Sequence, residues 1–411
     1  MIPYRLLLFA MLFAIAIVLS ETPTVTTAAA ASPTMKSSPE VVGVAAELSP
    51  FKITDDLKHL IRALVDNGTN AAMVIGLVDA NGTQFYGYGK TSNATNATTV
   101  NKDTLFDLGS ITKTFTTTIL TDMVSQGVVN LDDPIEKYLP PTVKVPAYNG
   151  NKITLEDLAT HTSGLPLSPP NQQVNITTFP DIFPNYTQEQ LYQALSNITL
   201  TTVPGSHFQY SDMGMALLGD ILASKAGMPY EQLVIDRILN VLGMNSTRIT
   251  LSDNPILLSR LALGHVNGTE IPITSISFEN PPPLAPAGSL RSSASDMVKY
   301  LSANIGLIKT NLDTVMQDSH RIRLYTNMSV VAPYDVYVGL GWFSTTNFGS
   351  QIIWHNGALP LGYNSFAGFN PATQRGVVVL SSTMLQDIDV ANIGFGPHDK
   401  LSTIIWNLLL N

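Results

Sequence analysis

Phe106-Asp107-Leu108-Gly109-Ser110-Ile111-Thr112-Lys113 is the stretch on which the reading of this chain turns. Beyond Leu108 the apolar residues Ile111, Phe115, Ile119, Leu120, Met123 and Val124 follow helical spacing, with Gly127 as a stop. The spacing therefore predicts a helix whose start carries Ser110 and Lys113, three residues apart and on one face. A serine hydroxyl is a weak nucleophile at neutral pH and needs a partner to take its proton. A lysine of depressed pKa, or a tyrosinate stabilised by it, can accept that proton. The helix start adds partial positive charge and a backbone N–H for a developing oxyanion. By itself, however, S-x-x-K arises about once by chance in a chain of this composition, and a solvent-facing Ser/Lys pair is the plain alternative.

Working outward, Asp55 to Val65 has the pattern of a short amphipathic helix. Ala71 to Val78 and Gln84 to Tyr88 are β-rich runs joined by Asp79-Ala80-Asn81-Gly82, a hairpin signal. The middle third is read as helix and loop. Thr154 caps a helix with Asp157 and Gly164-Leu165-Pro166 ends it, while Thr187 and Gln190 form a second capping box. Tyr210 to Ala226 is predicted as a helix stopped by Gly227, and another starts near Ser295, capped by Ser293 or Ser295. Val336 to Phe343, Gln351 to His355, Ser365 to Phe369 and Gly376 to Ser381 are β-rich, and Leu401 to Leu410 closes as helix. Strands at both ends of a helical middle predict an α+β fold. An antiparallel β-sheet is completed by distant segments, flanked by helices and interrupted by a helical insertion.

The chain has 411 residues and no cysteine, which excludes disulfides, thiolate metal sites and cysteine nucleophiles. A core of the size this length permits needs no such staples. Only 13% of residues are charged, about half the usual share, so Thr, Asn and Ser are expected to supply surface polarity. A net charge of −9 offers no basic patch for nucleic acid. Arg5 and the apolar run Leu6 to Leu19 read as an export signal (residues 1–20), because fourteen residues fall short of the roughly 20 a spanning helix needs. The alternative is an uncleaved anchor tethering the protein to the outer face of a membrane. Residues 21–50 read as a flexible Thr/Ala/Pro linker. Ten N-x-S/T sequons, at Asn67, Asn81, Asn93, Asn96, Asn175, Asn185, Asn197, Asn245, Asn267 and Asn327, make a secreted glycoprotein the expectation, although chance in so Asn/Thr-rich a chain gives roughly half that number.

The segment around Ser110 resembles the nucleophile segment of the serine β-lactamase-like family, which includes class C β-lactamases, D-alanyl-D-alanine carboxypeptidases and β-lactamase-like esterases. Five further stretches match in order. They are Leu131-Asp132-Asp133-Pro134, Thr160-His161-Thr162-Ser163-Gly164-Leu165-Pro166, Pro204-Gly205 with Tyr210-Ser211-Asp212, Pro286-Ala287-Gly288-Ser289-Leu290, and His355-Asn356-Gly357. The resemblance covers residues 51–411. It implies a penicillin-binding-protein-like transpeptidase fold, with the sheet part at about 51–109 and 285–411 and the helical part at about 110–284. It further implies an acyl-enzyme on Ser110, Lys113 as its proton partner and Tyr210 as general base or leaving-group acid. The backbone N–H groups of Ser110 and Ala358 would form the oxyanion hole, and Asp212, His355, Asn356 and Gly357 would line the substrate site. No metal or cofactor is implied. The substrate would be a small molecule or peptide: an ester, an amide or a D-alanine-type peptide.

Two positions depart from the familiar pattern. Asp212 stands where Asn is usual, and its charge would raise the pKa of Lys113, favouring Tyr210 as base; merely capping its helix is the simpler role. His355 stands where β-lactamases often carry Lys, and holds a carboxylate less firmly. An edge-strand residue is the bland reading there. His161 near Ser163 is read as a structural turn, and Trp342 and Trp354 as core. Ser168 to Leu200, with Phe179, Phe183 and Tyr186, is read either as a roof over the site or as a surface loop. There is no G-x-S-x-G elbow and no H-E-x-x-H. A non-catalytic binding protein retaining this fold is the alternative from another class.

Overall fold

Helix α1 (Asp55–Asp66) opens the computed structural model, which describes residues 51–68, 71–172, 186–271, 282–328, 335–346, 349–384 and 400–410. The expected leader, the linker, Asn175, Asn185, Phe179 and Phe183 lie outside these residues. Thr54 caps α1 by accepting from the Leu57 N–H, and Leu57 and Ile61 are fully buried one turn apart. Each contributes roughly 1.5–3 kcal/mol by leaving water. Strands β1 (Ala72–Asp79) and β2 (Gly82–Gly89) pair as a hairpin, as the Asn-Gly turn predicts.

β3 (Leu105–Asp107) leads into a short 3-10 turn, Gly109–Ile111, and then helix α2 (Thr112–Ser125). α2 is buried almost from end to end rather than along one stripe. Its Thr114, Thr116, Thr118 and Thr121 hydroxyls bond carbonyls three or four residues back, which lets a polar side chain enter a core without losing its partner. Thr116 also meets Tyr230, and Thr117 donates to the Leu340 carbonyl at 2.8 Å. These threonines thus serve the interior, contrary to the expectation that threonine is surface polarity.

Helix α3 (Leu155–Ala159) has the expected Thr154/Asp157 capping box but stops at Thr160, before Gly164, because His161 turns left-handed at φ +58°. Helix α4 (Gln188–Ser196) carries the Thr187/Gln190 box. Helix α5 (Asp212–Ala226) begins two residues later than the pattern predicted; Ser211, not Asp212, caps it by accepting from the Gly214 N–H at 2.9 Å. Gly227 ends α5 at φ +69°. β4 (Arg291–Ser293) pairs with β3, and Ser293 caps helix α6 (Ala294–Ile305).

β5 (Leu324–Tyr325), β6 (Val336–Val338), β7 (Phe343–Thr345), β8 (Ile352–Leu359), β9 (Tyr363–Asn370) and β10 (Arg375–Ser381) follow, and α7 (Lys400–Leu410) ends the described chain. The predicted single run at 336–343 is two strands, because Gly341 at φ +70° turns the chain between them. The main sheet has eight strands in the order β2-β1-β10-β9-β8-β7-β6-β5, every pair antiparallel. The N-terminal hairpin therefore joins the C-terminal strands, with Met73 opposite Ser381. One apolar cluster unites β1, β8 and β9 with α2, α5 and α6; a second gathers α1 and α7 with residues of β1, β7 and β10. Trp342 and Trp354 are core residues, 0% and 3% exposed. Tyr186 also packs in the core and donates to Asn171, so it does not roof a cleft.

Candidate active site

Ser110 sits in the turn between β3 and α2, and three separate segments hold that turn. The Leu108 N–H donates to the Leu290 carbonyl at 2.8 Å, and Ser365 Oγ donates to the Leu108 carbonyl at 2.7 Å. The Leu290 N–H donates to Thr112 Oγ1 at 3.1 Å. Gly109 adopts φ +51°, and a Cβ there would lie 3.0 Å from the Ala358 nitrogen. A Cβ on Gly357 would lie 2.0 Å from the Leu108 carbonyl oxygen. Two glycines thus bring strand β8 against the turn, and Ala358 beside Ser110.

Lys113 is fully buried in the first turn of α2. Its Nζ lies 2.8 Å from Ser110 Oγ, 2.6 Å from the Ala287 carbonyl oxygen and 2.7 Å from Asp212 Oδ1. An ammonium has three donors, and three oxygens stand within their reach. Burial opposes the charge on Lys113, but Asp212 and then Tyr210 outweigh it and hold its pKa above the ordinary lysine value.

Tyr210 precedes α5 and so lies outside the helix predicted to contain it. Its ring centroid is 4.9 Å from Lys113 Nζ. Burial raises the phenol pKa, Lys113 opposes and Asp212 reinforces it, with a net rise. The resting site accordingly pairs an ammonium with a neutral phenol. Asp212, whose side chain is 38% exposed, is the negative partner at the open side of this cluster.

His355 lies on β8, an interior strand between β7 and β9, and is 1% exposed, so it is no edge residue. Its Nδ1 is 2.6 Å from the Asn356 carbonyl oxygen, which can only accept, so Nδ1 carries the ring proton. Burial and then Lys113 push its pKa down to about 3, leaving Nε2 a bare acceptor with no partner among the described residues. Asn356 and Gly357 follow on the same strand. Ser110, Lys113, Tyr210, Asp212, His355 and Ala358 are therefore near neighbours despite their separation in sequence.

The β-lactamase family model matches residues 57–392. The chain belongs to the β-lactamase family. Within this family it is 32% identical to the D-alanyl-D-alanine-carboxypeptidase/endopeptidase AmpH of Escherichia coli (strain K12), over 280 residues that cover 66% of this chain and 68% of the relative. A β-lactamase of the same organism is 27% identical over 295 residues, covering 72% of this chain and 71% of that protein. The crystal structure of a β-lactamase/D-alanine carboxypeptidase from Yersinia pestis superposes with a TM-score of 0.65 at 25% identity, covering 82% of this chain and 96% of that one. A class C β-lactamase from Rhodobacter sphaeroides shares the fold, with a TM-score of 0.66 at 22% identity, covering 86% of this chain and 98% of that one. The β-lactamase-family chain is a serine hydrolase, and its α+β fold is that of these proteins.

Sequence reasoning missed the part played by His161. Its ring is 1% exposed and lies 4.3 Å from that of Tyr210, centroid to centroid. The Ser211 N–H donates to its Nδ1 at 3.1 Å and the Gln209 N–H to its carbonyl at 2.7 Å. The one signal available was its place in the Thr160–Pro166 motif; its contacts lie 50 positions downstream. No three His, Asp or Glu side chains among the described residues cluster to hold a metal ion.

Proposed function

We propose that this serine hydrolase acts through Ser110, which forms an acyl-enzyme with an ester, an amide or a peptide ending in D-alanine. The observation that carries the reading is the buried Lys113 ammonium, 2.8 Å from Ser110 Oγ and 2.7 Å from Asp212. A fixed ammonium stabilises the alkoxide character that grows on Oγ during attack. Since Asp212 keeps Lys113 protonated, the proton acceptor is Tyr210, in its minor tyrosinate form. Ser110 Oγ bonds to the acyl carbon as its proton passes to Tyr210. Tyr210 then returns that proton to the leaving group as the scissile bond breaks. Water attacks the acyl-enzyme by the same route, giving Tyr210 a proton that goes back to Ser110. The backbone N–H groups of Ser110 and Ala358 receive the oxyanion.

Asp212 offers an acceptor at the open side of the cluster, which suits substrate N–H groups better than a carboxylate. Asn356 and Gly357 complete the substrate wall in this proposal, and the buried His355 backs it without presenting Nε2 to the substrate. Their character weighs against efficient β-lactam cleavage and towards an ester or amide. The relative named a carboxypeptidase supports the peptide arm.

Export belongs to the same proposal. Arg5 with the Leu6–Leu19 run supplies the signal pattern, or an outer-face membrane tether if uncleaved. The eight sequon asparagines among the described residues are all exposed, as glycan attachment requires. No helix among the described residues is long and apolar enough to cross a membrane.

A fluorophosphonate or fluorescent penicillin should label the wild type covalently, and Ser110→Ala should abolish the label. If neither probe labels the wild type, the catalytic assignment fails.

A further inference from the structure

Tyr210 arrives at the site on irregular chain just ahead of α5, so no helix or strand fixes where its phenol points. His161 grips that chain on both sides. Its carbonyl accepts the Gln209 N–H at 2.7 Å, its Nδ1 accepts the Ser211 N–H at 3.1 Å, and its ring lies against the tyrosine ring between them. A backbone N–H can only donate, so Nδ1 must be the bare nitrogen of a neutral imidazole. Burial disfavours the charged ring, and the Lys113 ammonium disfavours it further. The left-handed backbone at φ +58° turns both the carbonyl and the ring towards the 209–211 segment. A non-glycine residue pays for that conformation, and is retained where its side chain is needed.

We propose that His161 is a positioning residue, which fixes the phenol of Tyr210 towards Ser110 by bracketing the 209–211 backbone. The proposal rests on Tyr210 being the proton-transfer group. His161 itself touches neither substrate nor Ser110. Its contribution is directional, and misplacing a catalytic group by about 1 Å can cost on the order of a hundredfold in rate.

Two variants separate positioning from plain structural support. His161→Gly suits the positive φ but empties a buried ring site and leaves the Ser211 N–H unpaired, so its Tm should fall and its kcat is read per folded molecule. Its kcat on a p-nitrophenyl ester should fall about 100-fold with KM within about twofold. His161→Asn tolerates the left-handed backbone and places an amide oxygen near the site of Nδ1. It should recover about tenfold of the lost kcat. Wild-type kcat in His161→Gly would overturn the proposal, as would a His161→Asn enzyme no faster than His161→Gly. So would losses that merely track the folded fraction. Tyr210→Phe is the control: should it turn over like the wild type, the role of Tyr210 itself fails, and that of His161 with it.

Discussion

Two ion pairs flank the Ser110 turn, one closed and one open to solvent, and they behave in opposite ways. Asp107 and Arg291 face each other across β3 and β4 at 3.0 Å, each 2% exposed. Lys113 and Asp212 meet at 2.7 Å, but one partner is fully buried and the other 38% exposed. In the closed pair, burial raises the Asp107 pKa and outweighs the opposing pull of Arg291. In the open pair, Asp212 outweighs burial and raises that of Lys113. A closed pair ties strands together and is costly to break. An open pair leaves one charge where solvent and substrate can act on it, and so can tune chemistry.

Breaking the open pair at its buried end gives the largest expected effect. Lys113→Ala should slow acylation by about 10³-fold or more, read as the rate of fluorophosphonate labelling. A variant that labels at near wild-type rate would remove Lys113 from the mechanism. Breaking the closed pair should instead cost stability. Arg291→Met leaves Asp107 buried and uncompensated, and urea denaturation should show a loss of about 3–5 kcal/mol. Adding Asp107→Leu should restore most of it, because the pair's value lies in mutual compensation. If the double variant is as unstable as the single, the two side chains do not act as a pair.

The smallest change sharpens the contrast most. Asp212→Asn should cost less stability than Arg291→Met, since its carboxylate is over a third exposed and Lys113 keeps the Ser110 and Ala287 oxygens. Its pH–rate profile should nevertheless move. Asp212 raises the pKa of both Lys113 and Tyr210, so removing its charge lowers both. The rise in rate that accompanies deprotonation then begins at lower pH, whichever of the two is the base. An unshifted profile would mean that the 2.7 Å contact does not govern the reaction.

Local signals in the sequence carried much of this structure. The Thr154/Asp157 and Thr187/Gln190 boxes formed as their spacing predicts, because both partners lie within one helical turn. The β-rich runs and the Asn-Gly turn gave the hairpin because its two strands are adjacent in sequence. Features made by distant partners were illegible. Arg291 meets Asp107 only because two remote short strands pair, and His161 reaches the Tyr210 segment only through a left-handed turn no pattern announces. The α2 threonines misled because their hydroxyls are satisfied by their own helix, which composition cannot reveal. Ser110, Lys113 and Asp212 lie in stretches the sequence singles out and stand together in the structure, but their charges were not legible. Those follow from burial and from Asp212.

The place of β1 in the sheet has a consequence for synthesis. Its neighbourhood is completed by partners such as Thr383, whose hydroxyl accepts from the Ala71 N–H across 312 positions. At roughly 5–20 residues per second, the first hairpin emerges roughly 15–60 s before the strand that covers its edge. A lone two-stranded hairpin is marginal in water, and its apolar residues must be shielded through that interval. Nascent chains halted within the helical part would carry an unfinished, adhesive edge, so the ribosome-bound state is where this protein is most exposed to misassembly.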